Sequence, residues 1–159
     1  MKVIGVFLVG VSIFLIFRER VRSEERRVLF ISELCRFIEK TRIEISCYLK
    51  PMEKIPCSFS SALLSEIKFL EIAEKGDLQA AYKEAEKKIL LHERERKLFQ
   101  HFFANIGHGY ADDELKLIDG TLGELKDILA REEAELYKKR KLFLTLSVSL
   151  SLAIVILLI

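Results

Sequence analysis

The feature that most constrains this chain is the confinement of its charged residues to the middle of the sequence. All 24 acidic residues lie between Glu19 and Glu135, and 25 of the 26 basic residues lie within residues 18–141. Uncharged apolar runs, residues 3–17 and 142–159, stand on either side. Such segregation is typical of membrane proteins, because bilayers admit apolar segments and exclude charges. We therefore expect a charged domain in water between two anchors.

The first apolar run is short for a membrane span. Its 15 residues would form a helix of about 22 Å, against a hydrocarbon core of about 30 Å. Lys2 and Arg18 at its two ends can reach outward to the interfaces, and the bilayer can thin locally. A cleaved signal peptide is the alternative interpretation, although the run meets Arg18 without a small-residue cleavage site. We predict a transmembrane anchor at residues 1–17.

The second apolar run is longer and predicts a transmembrane anchor at residues 142–159. Its polar residues are small hydroxyls, which can bond to their own helix backbone within lipid. They are Thr145, Ser147, Ser149 and Ser151. No proline separates this run from the charged sequence before it, so the last helix is expected to continue from the domain into the anchor.

Basic residues flank both runs on the side of the middle domain. They are Arg18, Arg20, Arg22, Arg26 and Arg27 after the first run, and Lys138, Lys139, Arg140 and Lys141 before the second. Positively charged flanks stay on the cytoplasmic side of a membrane. The domain at residues 18–141 is therefore predicted to be cytoplasmic, with its basic flanks close to anionic headgroups.

The first part of the domain reads as one long helix. Apolar residues recur at a spacing of three to four from Arg18 until Pro51 and Pro56 interrupt the helix. They are Val28, Ile31, Leu34, Ile38, Ile45 and Leu49. This pattern predicts a long first helix with one apolar face.

Shorter helices are expected next. Ser58 or Ser60 can cap a helix that continues to Gly76, and Asp77 can cap the one after it. A cluster of apolar residues then leads to a chain reversal at Gly107. The cluster contains Leu98, Phe99, Phe102, Phe103 and Ile106.

A stripe of apolar residues with heptad spacing follows Asp112. It contains Leu115, Ile118, Leu122, Leu125, Leu129 and Leu136. Such spacing indicates coiled-coil-like packing, and the first and last helices must both return to one membrane. We predict an all-α, antiparallel helical bundle with long first and last helices, flanked by N- and C-terminal transmembrane helices.

Motifs for catalysis or cofactor binding are absent from the sequence. The segment from His92 to Arg96 begins like the zinc-binding HExxH but has arginine in place of the second histidine. No glycine-rich phosphate loop occurs, and carboxylates 112–114 suit the start of a helix. Residues 18–141 carry a net charge of only +1, which does not favour nucleic acid. We predict no enzyme activity, no cofactor and no metal.

The charged surface remains as the candidate contact region. Glu132, Glu133 and Glu135 precede the basic cluster at 138–141, and together with the basic residues after the first run they are candidate contacts for a partner or a membrane surface. Charge runs of this kind are often simply solvated, so the alternative is that these residues have no partner.

The order of several short segments resembles the stage III sporulation protein AB family. The resemblance is carried by MKVIGVFLV at the start, Glu44-Ile45, Tyr48 and Pro51-Met52, GDLQAAY at 76–82, Ile106-Gly107, and REEAE at 131–135 followed by Lys138-Lys139 and Leu142. These segments extend nearly from end to end of the chain.

The resemblance implies a scaffold or adaptor in the mother-cell membrane that faces the forespore. It would couple a cytoplasmic ATPase, of the stage III sporulation protein AA type, to a secretion-like channel complex during endospore formation. Other channel membrane proteins, membrane lipids and a second copy of the chain are the expected partners. A membrane-tethered helical signalling or stress protein unrelated to sporulation is the alternative.

Overall fold

The computed structural model describes residues 2–48, 55–107 and 109–158, and within its helices the side chains of residues 2–10, 13, 17, 48, 144, 148 and 150–158 lie outside the description. All regular secondary structure in these ranges is helical, which confirms the all-α class. The helices are α1 Lys2–Tyr48, α2 Ala62–Glu66, α3 Phe69–Ala73, α4 Leu78–Glu86, α5 Glu93–Asn105 and α6 Ala111–Leu158, with a 3-10 turn at Pro56–Ser58. Helices α1 and α6, of 47 and 48 residues, are the predicted long first and last helices.

The chain divides into two compact units, and α1 and α6 supply residues to both. Unit 1 consists of Met1–Arg26 and Arg131–Ile159, and unit 2 of Arg27–Ala130. Charge differs between them. Unit 1 has ten basic and six acidic residues, a net +4, whereas unit 2 has sixteen and eighteen, a net −2.

The core of unit 2 forms around one face of α1. Phe30, Ile31, Leu34, Phe37 and Ile38 recur at helical spacing, and none of them is exposed to solvent. Opposite them lies an aromatic cluster in which Phe69 and Tyr82 each contact Phe103, and Phe99 contacts Phe30. Three members of the predicted heptad stripe close the core from α6: Ile118, Leu122 and Leu125.

Two ion pairs fix the direction of α1 against α6 within unit 2. The Arg42 guanidinium lies 2.5 Å from the Asp119 carboxylate, and the Lys126 ammonium lies 2.7 Å from that of Glu39. Glu39 precedes Arg42 on α1, whereas its partner Lys126 follows Asp119 on α6. The two helices run antiparallel in this unit, as predicted.

The segment after the prolines differs from the prediction of a single helix. The cap is Ser61, whose hydroxyl accepts a bond from the Leu64 amide at 3.2 Å, and not Ser58 or Ser60. Lys68 adopts a left-handed φ of 66° and separates α2 from α3. This break allows Ile67 and Phe69, which would point about 200° apart on a regular helix, both to be buried.

The glycine positions behave as the sequence indicates. Gly76 has a φ of 88° and ends the turn after α3, and the Asp77 carboxylate accepts a bond from the Ala80 amide at 2.7 Å at the start of α4. Gly107, with a φ of 89°, lies in the reversal between α5 and α6. Residue 108 lies outside the described residues.

Within the described residues, no helix is both long enough and apolar enough to cross a bilayer. The two predicted anchors, residues 1–17 and 142–159, fall largely on positions whose side chains lie outside the description.

Candidate functional site

Eight of the predicted contact residues lie on the surface of unit 1. Helix α1 presents Arg18, Arg20, Arg22 and Arg26, and α6 presents Lys138, Lys139, Arg140 and Lys141; all eight side chains are exposed. We call this set the basic belt. The sequence places its two halves more than a hundred residues apart, and the fold of unit 1 brings them together.

Ion pairs between α1 and α6 in unit 1 hold the two halves of the belt side by side, at the same height along the helix axes. Arg140 donates to one carboxylate oxygen of Glu25 at 2.7 Å through both Nε and Nη2, and the Lys139 ammonium lies 3.6 Å from Glu24. Farther along, the rings of Phe14 and Phe143 lie 5.1 Å apart. The helices therefore run antiparallel in this unit. Exposed pairs of this kind contribute at most about 1 kcal/mol each, so they set register more than stability.

A groove opens between the two helices at the edge of the belt. It has a volume of about 330 Å³ and is lined by Arg20, Val21 and Glu24 from α1 and by Lys139, Leu142, Phe143 and Leu146 from α6. We call it the belt groove. One of its ends is charged and the other is apolar, because the charged sequence of α6 gives way to apolar sequence after Lys141.

The acidic contact candidates differ in exposure. Glu133 and Glu135 are exposed on α6, while Glu132 is half-buried. Two of the three carboxylates are therefore accessible to a partner, and the third is less so.

Arg27 was predicted as a surface contact, but the structure buries it. Its side chain is only 3% exposed, and its guanidinium donates to the buried carboxylate of Glu95 and lies 3.0 Å from the ring nitrogen Nδ1 of His92. Successive helical residues point about 100° apart, so Arg26 faces solvent whereas Arg27 faces the core. Arg27 is thus a structural residue of unit 2 rather than a surface contact.

Glu95 is the partner that the sequence alone did not reveal. Its second oxygen accepts a bond from the His92 backbone amide at 2.9 Å, which is the Glu half of a capping box at the start of α5. The signal was present as a glutamate three residues after the cap position.

The family model of stage III sporulation protein AB matches residues 2–159. The chain belongs to the stage III sporulation protein AB family. No curated protein and no solved structure matches it.

Membership in the stage III sporulation protein AB family supports a role in sporulation and confirms the resemblance found in the sequence. It speaks against the alternative of a signalling or stress protein unrelated to sporulation. In this family member, the features available for contact are the basic belt, its groove and the exposed carboxylates of α6.

Proposed function

We propose that this protein is a non-enzymatic membrane scaffold of a sporulation channel. In this proposal it couples a cytoplasmic ATPase of the stage III sporulation protein AA type to the membrane apparatus during endospore formation. The observation that carries the proposal is the basic belt, in which flanks from both ends of the chain lie at one level. A belt of this kind suits a domain that meets one membrane surface through two helices.

The residues beside the belt support attachment to a membrane. Leu15, Ile16, Leu142 and Leu146 are each at least half exposed although they are large and apolar. Clusters of exposed apolar side chains next to basic residues are typical of surfaces that enter lipid. We propose anchors at residues 1–17 and 142–159, a cytoplasmic domain between them, and a location in the mother-cell membrane that faces the forespore.

The acidic surface of α6 is the proposed contact for the ATPase. Glu133 and Glu135 are exposed and opposite in sign to the belt that follows them on the same helix. A cationic surface on the partner would recognise them, and the belt would disfavour the wrong orientation. Because α6 is one uninterrupted helix that supplies residues to both units, a partner held here would act on the segment proposed to enter the membrane.

Co-purification of the full chain in detergent with its cognate ATPase tests this contact. We expect the double variant Glu133→Lys, Glu135→Lys to lose most of the retained ATPase. The double variant Glu71→Lys, Glu74→Lys makes the same charge change on an exposed part of α3 and the residue after it, and should retain it. No retention by the parent chain, together with normal sporulation after deletion of the gene, would refute the scaffold proposal.

Orientation has a separate test in intact sporulating cells. Cys47 and Cys57 are exposed thiols of unit 2. If the domain is cytoplasmic, a membrane-impermeant maleimide will label them only after permeabilisation. Prompt labelling from outside would reverse the proposed topology.

The proposal assigns binding and not catalysis to this chain, with no cofactor, metal or nucleic acid. Other channel membrane proteins and a second copy of the chain are its further proposed partners. Native mass spectrometry of the complex released from membranes would give their identity and copy number. Nucleotide hydrolysis by the purified chain, with no ATPase present, would contradict the non-enzymatic role.

A further inference from the structure

We propose that the belt groove binds an anionic phospholipid. The phosphate would lie at the charged end of the groove, and the part of one acyl chain nearest the headgroup would lie along the apolar end. This inference rests on the proposed function, since it requires the belt to lie at a membrane surface. It goes beyond general attraction to the bilayer, because it assigns one lipid class to one groove.

The charged end offers a cation suited to phosphate. Within the described part of the chain, Arg20 has no ion-pair partner, whereas Lys139 lies 3.6 Å from Glu24. A guanidinium donates two parallel hydrogen bonds to a phosphate, a geometry that an ammonium does not match. Arg20 is thus the residue that would contact the headgroup, with Lys139 contributing at the same level.

The apolar end is an exposed surface without polar groups among its described lining residues. Leu142 is 63% exposed and Leu146 is 59% exposed, and Phe143 lies between them against the ring of Phe14. Exposing such large side chains to water is unfavourable by about 25 cal/mol per Å². An acyl chain lying along them would remove this cost.

The dimensions and charge of the groove match the order of groups in a phospholipid. Lys139 and Leu146 are seven residues apart on α6, which is about 10 Å along the helix, and the cavity volume of about 330 Å³ accommodates a headgroup phosphate and part of one chain. Unit 1 carries a net charge of +4. This charge favours a lipid with net negative charge over a zwitterionic one.

Tryptophan quenching can measure lipid preference at this groove, because the chain contains no tryptophan. The full chain would carry either Leu146→Trp, inside the groove, or Leu15→Trp, an exposed apolar position outside its lining. Each protein would be reconstituted in two series of vesicles, one with brominated phosphatidylglycerol and one with brominated phosphatidylcholine, over the same range of mole fractions. Far-ultraviolet circular dichroism would verify that the helix content of each variant is unchanged.

We expect brominated phosphatidylglycerol to quench the Leu146→Trp protein at a mole fraction about fivefold lower than the phosphatidylcholine does, the equivalent of about 1 kcal/mol for one cation at the surface. The Leu15→Trp protein should show a weaker preference, because only the general charge of unit 1 acts outside the groove lining. Adding Arg20→Gln to Leu146→Trp should remove the preference. Adding Arg22→Gln, the same charge change on an exposed neighbour outside the groove, should preserve it.

Three results would overturn the inference. Equal quenching of the Leu146→Trp protein by both lipids would show that the groove does not select an anionic lipid. An equal loss of the phosphatidylglycerol preference on adding Arg20→Gln or Arg22→Gln would show that only the general surface charge attracts the lipid. If neither lipid quenched the tryptophan at position 146 and chemical cross-linking gave dimers of the chain, a second copy would cover the groove. If neither lipid quenched the Leu15→Trp protein, the chain would not enter the bilayer, and the proposed membrane anchoring itself would fail.

Discussion

The guanidinium of Arg27 on α1 donates to the carboxylate of Glu95 on α5, and both side chains are almost fully buried in unit 2. Removing one partner leaves the other charge buried without compensation, which costs about 3–5 kcal/mol. We therefore expect Arg27→Met to lower the free energy of unfolding by about that amount. Chemical denaturation followed by circular dichroism would measure it.

Two control variants make this prediction specific. Arg26→Met changes the adjacent, exposed arginine and should shift stability by no more than about 0.5 kcal/mol. The double variant Arg27→Met, Glu95→Met removes both charges and should recover much of the loss, less about 1 kcal/mol for the lost cap of α5. Equal effects of Arg26→Met and Arg27→Met would contradict the buried role of Arg27.

The three cysteines should differ in reactivity. Burial, and next the nearby carboxylate of Glu39, raise the pKa of the Cys35 thiol, whereas Cys47 and Cys57 are exposed. Because the thiolate is the reactive form, Cys35 should resist maleimide. Mass spectrometry should find two labels on the folded chain and three after denaturation. Cys35→Ala should leave the folded count at two; three labels on the folded parent chain would disprove the burial.

Tyr82 should make unit 2 less stable in alkaline solution. Burial raises the pKa of its phenol, whose hydroxyl group donates to the Arg96 carbonyl oxygen at 3.4 Å. The unfolded phenol loses its proton near pH 10, while the folded phenol retains it. Stability is therefore complete below about pH 10 and falls as pH rises further.

Thermal denaturation between pH 8 and 11 tests this prediction. Tyr82→Phe should flatten the alkaline decrease at a cost of about 1 kcal/mol or less at neutral pH. Tyr110→Phe, which changes a phenol that is 85% exposed, should leave the pH profile unchanged. Identical profiles for the parent chain and Tyr82→Phe would exclude this tyrosine as the cause.

The same substitution should have opposite signs at two glycines. Gly76 has a φ of 88°, so Gly76→Ala is strained although no atom lies within 4 Å of the added Cβ, and we expect a loss of about 1 kcal/mol. Gly123 is an exposed position inside α6 with equally open space, so Gly123→Ala should add up to about 1 kcal/mol. We expect the melting temperature to fall for Gly76→Ala and to rise for Gly123→Ala. Shifts in the same direction would contradict the assignment of these effects to backbone conformation.

Features governed by local chemistry were predictable from the sequence. Gly76 ends a helical turn, Asp77 caps α4 and Gly107 lies at a reversal, because each role depends on one residue's own backbone or side chain. The long helices α1 and α6 were predictable because apolar spacing extends over many turns.

Features that depend on the direction of one side chain in the assembled core were not predictable. Arg26 and Arg27 are identical in type and adjacent, yet only Arg27 faces Glu95. Likewise Lys68 breaks the expected helix because Ile67 and Phe69 are both required in the core, and this tertiary demand outweighs the local preference of lysine for a regular helix.

The break at Lys68 divides the segment into two helices of five residues each. Isolated helices much shorter than about 12 residues are marginal in water, so α2 and α3 draw their order from packing against the rest of unit 2. The amides of Ile72 and Glu74, which donate to the carbonyls of Lys68 and Leu70, should therefore exchange with deuterium no faster than the surrounding core opens. Exchange rates at these positions would serve as an internal gauge of how intact unit 2 remains when a partner binds.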